Sequence, residues 1–89
     1  MKVVRNFILK NELGLHARVA AMMVSAASRY DARLTVEKNG EEVDGKSILS
    51  ILTLACPKGS EITIKAEGLD AELLVAELEG LIENKFGEA

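Results

Sequence analysis

The chain is poor in several residue types, and each shortage narrows what the protein can be. It has one cysteine, Cys56, one proline, Pro57, no tryptophan and only three aromatic residues. A single cysteine excludes an internal disulfide and a zinc site built from cysteines. With so few aromatics, the core of an 89-residue chain must be aliphatic. We therefore expect one small domain that spans residues 1–89.

Long apolar runs are also lacking. The first residues, "MKVVRNFILKNE", contain neither the apolar stretch nor the small-residue cleavage site of a signal peptide. No segment approaches the roughly 20 apolar residues that a membrane span needs. We therefore expect a cytoplasmic protein that does not insert into membranes.

Charge is unevenly distributed along the chain. Residues 1–59 hold nine Lys and Arg against six Asp and Glu, whereas residues 60–89 hold two against eight. An acidic second part, and the lack of a basic stripe interleaved with aromatics, predict that nucleic acid is not a partner. The more basic part contains the only histidine, His16, and suits an acidic partner.

The first half of the chain alternates between strand and helix patterns. "KVVRNFIL" is typical of a strand, and residues 17–29 have apolar residues at helical spacing. "ARLTVEK" alternates apolar and polar residues, as a strand with one buried face does. Asn39-Gly40 follows, which predicts a tight hairpin to the short strand "EEV" because both residues tolerate positive φ.

The second half repeats the alternation. Ser47 is placed to cap a short apolar helix, "SILSILTLA", which Pro57 and Gly59 would end. "SEITIKAE" predicts a fourth strand, and Asp70 is placed to cap a last amphipathic helix. The order is β-α-β-β-α-β-α. We expect an α+β open-faced sandwich, with a four-stranded antiparallel sheet covered on one face by helices.

The stretch "GLHARVAA" places His16 where the first helix should begin. If that helix starts at Ala17, its first N–H groups have no partner within the helix and favour an anion there. Arg18 adds donors that match a phosphate. A neutral imidazole beside such a site can accept a phosphoryl group. On these residues alone, a capping histidine beside a solvated arginine remains the simpler interpretation.

Two separated motifs carry a family resemblance. "NELGLHARVA" and "GKSILSILTLACPKGSEITIKAEG", about thirty residues apart when counted from His16 to Ser47, resemble the HPr family. These are the histidine-containing phosphocarrier proteins of the bacterial phosphoenolpyruvate-dependent phosphotransferase system. The Asn-Gly hairpin and the chain length also match, so the resemblance covers essentially the whole chain.

The resemblance implies a carrier rather than an enzyme. His16 would be phosphorylated on Nδ1 by enzyme I, which phosphoenolpyruvate charges, and would pass the group to an EIIA protein or domain in sugar uptake or regulation. Ala17 and Arg18 would bind and stabilise the phosphate. The resemblance implies neither a metal nor another cofactor, and we expect a monomer.

Two further functions compete with this one. A domain of the same fold, in a nitrogen-related regulatory branch, would act by protein binding and no longer carry phosphate. A small hydrolytic or transfer enzyme would use His16 as a general base. No companion nucleophile or carboxylate lies in the same segment, which disfavours the enzyme.

Val19 and Ser47 need separate comment. Val19 stands where the family usually has proline, a residue tolerated in a first helical turn. We expect the helix to form, with one more N–H donor near His16 and a changed transfer rate or partner choice. For Ser47 the resemblance adds phosphorylation by the HPr kinase/phosphorylase to the structural role of a helix cap.

A docking surface is also implied by the resemblance. The family binds its partners through the first helix and the short second helix, and this helix is apolar on nearly every side. Ser50 stands where the family commonly has glycine. The residues that match the family's docking positions are Ala17, Ala21, Ile48, Leu49 and Leu52.

Overall fold

The computed structural model describes residues 1–88. Its elements are β1 (Lys2–Ile8), α1 (Ala17–Ser28), β2 (Arg33–Lys38), β3 (Glu41–Asp44), α2 (Ile48–Leu52), β4 (Glu61–Glu67), α3 (Ala71–Glu83) and a short left-handed turn (Lys85–Gly87). We call the last of these the C-terminal turn. The predicted order, β-α-β-β-α-β-α, is confirmed.

The four strands form one antiparallel sheet in the order β1-β4-β2-β3. In β4 every second residue is buried, namely Ile62, Ile64 and Ala66. Because side chains alternate across a strand, these three residues face the helices, and Lys65 faces the uncovered side. There Lys65 pairs with Glu37 at 2.7 Å and also with Glu42. The sandwich is therefore open on one face, as predicted.

The hairpin between β2 and β3 turns at the predicted dipeptide. Asn39 and Gly40 both have positive φ, at 53° and 86°. Two central residues with positive φ define a type I′ turn, whose twist matches that of the flanking strands. The pairing that follows places Lys38 opposite Glu41 and Val36 opposite Val43.

The core is aliphatic, as the shortage of aromatics predicts. Leu, Ile, Val and Ala dominate the buried residues, joined by Met23 and a single aromatic side chain, Phe86. Cys56 is buried among them. Burial raises the pKa of the Cys56 thiol, which favours the neutral form. This cysteine therefore packs as a small apolar residue.

Two local predictions are wrong. The second helix ends at Leu52, well before Pro57, and Ala55 then takes a positive φ of 51°, which a right-handed helix does not allow. Asp70 does precede α3, but its carboxylate caps no N–H group of that helix. It accepts instead from the backbone N–H of Asp31 at 2.8 Å, and so ties the start of α3 to the loop before β2.

A close contact between two loops sets where α1 begins. The Leu15 N–H donates to the Cys56 carbonyl at 2.8 Å. Gly14 has φ of 64°, and a side chain there would place its Cβ 2.3 Å from the same carbonyl oxygen. Only glycine allows this approach. The loop that carries His16 is therefore held against the loop that follows α2.

None of the helices among residues 1–88 combines the length and the apolar character that crossing a lipid bilayer requires.

Candidate functional site

His16 occupies the N-cap position of α1. Its backbone is extended, with φ of −104° and ψ of 179°, and its carbonyl accepts the first helical hydrogen bond from Ala20 at 2.9 Å. The N–H groups of Ala17, Arg18 and Val19 precede that bond and have no acceptor within the helix. The His16 side chain is 26% exposed. The imidazole therefore lies at the positive end of a helix dipole, where solvent can reach it.

The helix forms without the family's proline. Val19 lies within the first turn of α1, and its side chain is fully buried in the core. Valine therefore keeps the helix start intact, as predicted, and leaves one more N–H group at the start of α1.

A carboxylate that sequence reasoning missed completes the site. Glu88 Oε2 lies 2.9 Å from His16 Nε2 and accepts from Asn11 Nδ2 at 2.8 Å. The other oxygen, Oε1, accepts from the Leu13 N–H at a longer 3.4 Å. The Glu88 side chain is only 12% exposed. Donors from the His16 loop thus surround a carboxylate from the far end of the chain.

Arg18 reaches the same carboxylate from the side of α1. Its Nη2 lies 3.6 Å from Glu88 Oε2, and its Nη1 donates to the Phe86 carbonyl at 3.1 Å. The guanidinium is 51% exposed. His16 and Arg18, predicted to act together, therefore meet at one oxygen atom of Glu88.

These donors determine the ionisation of Glu88. The hydrogen bond from His16, followed by that from Asn11, holds the pKa of the Glu88 carboxyl below its usual range, and the Leu13 N–H adds to the effect. Donors to a carboxylate favour its charged form. Glu88 therefore carries a negative charge at neutral pH.

Asn11 braces the loop between β1 and α1. It is a buried polar side chain, and its Nδ2 also donates to the Gly14 carbonyl at 2.7 Å. Within residues 1–88, its Oδ1 is buried and has no hydrogen-bond partner. The Asn-x-x-Gly spacing in "NELG" is the sequence signal for this brace, because asparagine commonly bonds to the backbone of its own turn.

Phe86 explains how Glu88 reaches the site. Its ring is buried in the core next to α3. Lys85, Phe86 and Gly87 all have positive φ, at 54°, 53° and 76°, so the chain reverses tightly after the helix. This reversal brings the next residue, Glu88, to His16. A lone aromatic in an acidic tail was a sequence signal for the anchor, but no pattern indicated the contact with His16.

Ser47 begins α2 as predicted. Its Oγ accepts from the Ser50 N–H at 3.2 Å, which confirms the helix cap. Ile51 in the same helix is buried in the core, whereas Leu49 is 77% exposed. The predicted docking residues are all at least partly exposed, with Leu52 the most covered of them: Ala17, Ala21, Ile48, Leu49 and Leu52.

No group of three or more His, Cys, Asp or Glu within the described part of the chain is placed to hold a metal ion.

Comparisons with known proteins agree with this geometry. A family model described as "PTS HPr component phosphorylation site" matches residues 3–84. The phosphocarrier protein HPr of Cupriavidus necator is 37% identical over 84 residues, which is 94% of each chain. The crystal structure of an HPr from Thermoanaerobacter tengcongensis superposes with a TM-score of 0.93 at 40% identity over 98% of each chain. An HPr dimer from that organism gives a TM-score of 0.77 at 43% identity, covering 92% of this chain and 94% of that one.

An open-faced sandwich with an accessible histidine at the start of its first helix defines the class of histidine phosphocarriers. Within that class, this chain belongs to the HPr family of the phosphotransferase system, and it is a phosphocarrier of that system.

Proposed function

We propose that His16 accepts a phosphoryl group on Nδ1 from phosphorylated enzyme I and passes it to an EIIA protein or domain. The supporting observation is the place of the ring, which caps α1 and is partly exposed in a chain of the HPr family. Sugar uptake and a regulatory branch both use this chemistry. With enzyme I as the donor, the cytoplasm is the compartment we propose.

The proposed reaction is a displacement at phosphorus. The lone pair of His16 Nδ1 forms the new N–P bond while the bond from phosphorus to enzyme I breaks and leaves its electrons there. The free N–H groups at the start of α1, including that of Ala17, would bind the phosphoryl oxygens. The reverse displacement, with EIIA as the acceptor, returns the electron pair to Nδ1.

Arg18 would stabilise the transferred group. Its present contacts are modest, because Nη1 donates to the Phe86 carbonyl and the Met22 sulfur, and the contact to Glu88 spans 3.6 Å. A phosphoryl group carries more negative charge than any of these acceptors and matches the fork of the guanidinium. We therefore propose that Arg18 turns to the phosphoryl group when His16 carries it.

Partner binding would use the exposed faces of α1 and α2 beside His16. Leu49 is the most exposed of the predicted docking residues, and α1 packs against α2 in the fold. An apolar side chain at this exposure gains by burial against a partner.

We propose that a monomer presents this surface. A mass of two chains in light scattering at working concentration would contradict the monomer.

Ser47 is proposed as a regulatory site. Its hydroxyl lies at the start of α2, where a phosphate is tolerated by the helix, and next to the proposed docking surface. Phosphorylation by an HPr kinase/phosphorylase would then block enzyme I rather than unfold the domain. Incubation with that kinase and ATP should add one phosphate to the wild type and none to Ser47→Ala.

The carrier function is tested by intact-mass analysis after incubation with phosphoenolpyruvate and enzyme I. We expect one acid-labile phosphoryl group on the wild type and none on His16→Ala. If enzyme I charges another carrier in the same assay but leaves this chain unmodified, the carrier proposal is wrong. Binding of enzyme I without transfer would then favour the docking function.

A further inference from the structure

We propose that Glu88 is a positioning residue for His16. Its carboxylate holds the proton of the ring on Nε2, leaves Nδ1 free to accept phosphoryl, and stabilises the positive ring that the transfer creates. This inference rests on the proposed function for its catalytic consequence, but its structural part concerns the unphosphorylated protein alone.

The assignment of the ring proton follows from donor and acceptor chemistry. An ionised carboxylate has no proton to give, so it can only accept. The 2.9 Å contact between Glu88 Oε2 and His16 Nε2 therefore requires a proton on Nε2. In a neutral imidazole the other nitrogen then keeps its lone pair. Within residues 1–88 the ring makes this one hydrogen bond, so Nδ1 is the nitrogen available to a phosphorus atom.

The charge balance of the transfer gives Glu88 its second role. When Nδ1 bonds to phosphorus while Nε2 keeps its proton, the ring becomes a cation. When the group leaves, the electron pair of the N–P bond returns to Nδ1 and the neutral ring, with its proton on Nε2, is restored. No proton moves in either direction. A carboxylate on Nε2 stabilises this cation, as the aspartate does for the histidine of a serine-protease triad.

The carboxylate is held in place rather than free in solvent. Phe86, two residues earlier, is buried in the core, and the Glu88 side chain is only 12% exposed. Asn11 Nδ2 and the Leu13 N–H, both from the loop just before His16, also donate to it, at 2.8 Å and 3.4 Å. Such outer partners are what orient a functional histidine.

Other charged groups surround this pair. Arg18 on α1 lies 3.6 Å from Glu88. In the loop before α1, Glu12 pairs with Lys58 at 2.7 Å and also interacts with Lys85 and Glu88. The nearby charges are therefore mixed in sign, and Glu88 is the carboxylate that contacts the ring directly.

Two substitutions of Glu88 distinguish the effect of its hydrogen-bond acceptor from the effect of its negative charge. In Glu88→Gln the carboxamide oxygen can still accept from Nε2 but carries no charge. Glu88→Ala removes both. Glu79→Gln is the matched control, because Glu79 is exposed on α3 and its change removes the same charge nine residues before Glu88.

The first measurement needs no phosphoryl transfer. In ¹⁵N-labelled protein near neutral pH, the wild type should show a protected proton signal on Nε2 of His16. We expect this signal to persist in Glu79→Gln, to weaken in Glu88→Gln and to vanish in Glu88→Ala. An equal signal in wild type and Glu88→Ala would overturn the inference whether or not the chain carries phosphoryl.

The second measurement separates turnover from binding. With enzyme I as donor, we expect kcat to fall by roughly three- to tenfold in Glu88→Gln, since a charged acceptor on a partly exposed ring contributes modestly, while KM stays within about twofold. Glu79→Gln should match the wild type. Unchanged kcat in both Glu88 variants, with His16 normally phosphorylated, would reject the role of Glu88 in transfer. Absence of phosphorylation in every variant would instead reject the proposed function.

Discussion

At the residue scale, the side chain of Val19 packs in the core while its backbone N–H lies beside the candidate site. Its side chain is fully buried, while its backbone N–H lies in the unbonded first turn of α1. In many helices the side chain at the N-cap bonds to this N–H, but the His16 side chain makes no such bond. The N–H of Val19 is therefore available to an anion bound beside the ring.

Replacing this valine by proline tests that donor. In Val19→Pro we expect the free energy of unfolding to stay within about 1 kcal/mol of the wild-type value, because proline is tolerated in a first helical turn. The phosphorylated form should lose its phosphoryl group about fivefold faster, which corresponds to one net hydrogen bond of about 1 kcal/mol. Decay of the phosphorylated mass at neutral pH measures this rate.

Val19→Ala is the control, since it perturbs the core but keeps the N–H. It should be the less stable protein, because a buried side chain is truncated, yet its phosphoryl group should decay at the wild-type rate. Equal decay of wild type and Val19→Pro would show that the N–H of Val19 does not reach the phosphoryl group.

At the scale of single elements, α2 divides its five residues between two tasks. Ile51 is buried in the core, while Leu49 is 77% exposed and Ile48 partly so. A helix of one and a half turns that lies on a domain can bury only one side, so a helix with four apolar residues out of five leaves some of them in water. The exposed side of α2 is the part of the proposed docking surface that can be tested without disturbing the core.

Leu49→Asp should weaken docking without weakening the fold. Burying a leucine against a partner contributes about 1.5–3 kcal/mol, so we expect KM for phosphorylated enzyme I to rise about tenfold or more, with kcat little changed. An aspartate in the first turn of a helix is favourable, so the free energy of unfolding should not fall. Steady-state kinetics and urea unfolding measure the two quantities.

Leu73→Asp is matched to this variant in chemistry and in position. Leu73 is 60% exposed and also lies in the first turn of a helix, α3. It should leave KM unchanged. If both variants raise KM equally, added negative charge rather than the face of α2 is responsible, and the assignment of Leu49 to the docking surface fails.

At the scale of the whole molecule, the ends of the chain are linked through the site. Glu88 accepts hydrogen bonds from Asn11 and His16 in the first loop. A second link joins the same two segments, because Lys10 at the start of that loop pairs with Glu83 at the end of α3, at 2.6 Å. The C-terminal turn therefore depends for its position on the loop that carries His16, and that loop depends on the turn.

This link predicts how stability responds to acid. The pKa of Glu88 is lowered in the folded protein, so the unfolded chain binds its proton more readily. The contribution of Glu88 to the free energy of unfolding should be fully present above the ordinary glutamate pKa of about 4.3 and be lost as the pH falls through the lower folded value. Urea unfolding between about pH 7 and pH 3 measures it.

The comparison with Glu88→Gln isolates this one group, because Glu12 and Glu42 also have lowered pKa values in the folded protein. The wild type should be more stable than the variant at neutral pH, and the difference should shrink below about pH 4. A difference that stays constant with pH would mean that Glu88 stabilises through packing rather than through its charge.

Sequence reasoning did best where the deciding residues are neighbours. The hairpin at Asn39-Gly40, the cap at Ser47 and the start of α1 after His16 each depend on residues within about one turn of one another. It did less well at Asp70, whose position before a helix predicts a cap. The Asp70 carboxylate accepts instead from the backbone N–H of Asp31, which is 39 residues away in sequence and comes close only in the folded protein.

The sequence by itself determined the strand and helix order, the aliphatic core and the placement of His16 and Arg18 at a helix start, since periodicity, caps and turns are local properties. Only the tertiary structure decided that Glu88 meets His16 across a separation of 72 residues. That contact requires Phe86 to pack into a core assembled from the sheet and helices, and the reversed turn after α3 to point back at the first loop. No local sequence pattern predicts the contact between Glu88 and His16, because the distance between them depends on how the sheet and helices pack together.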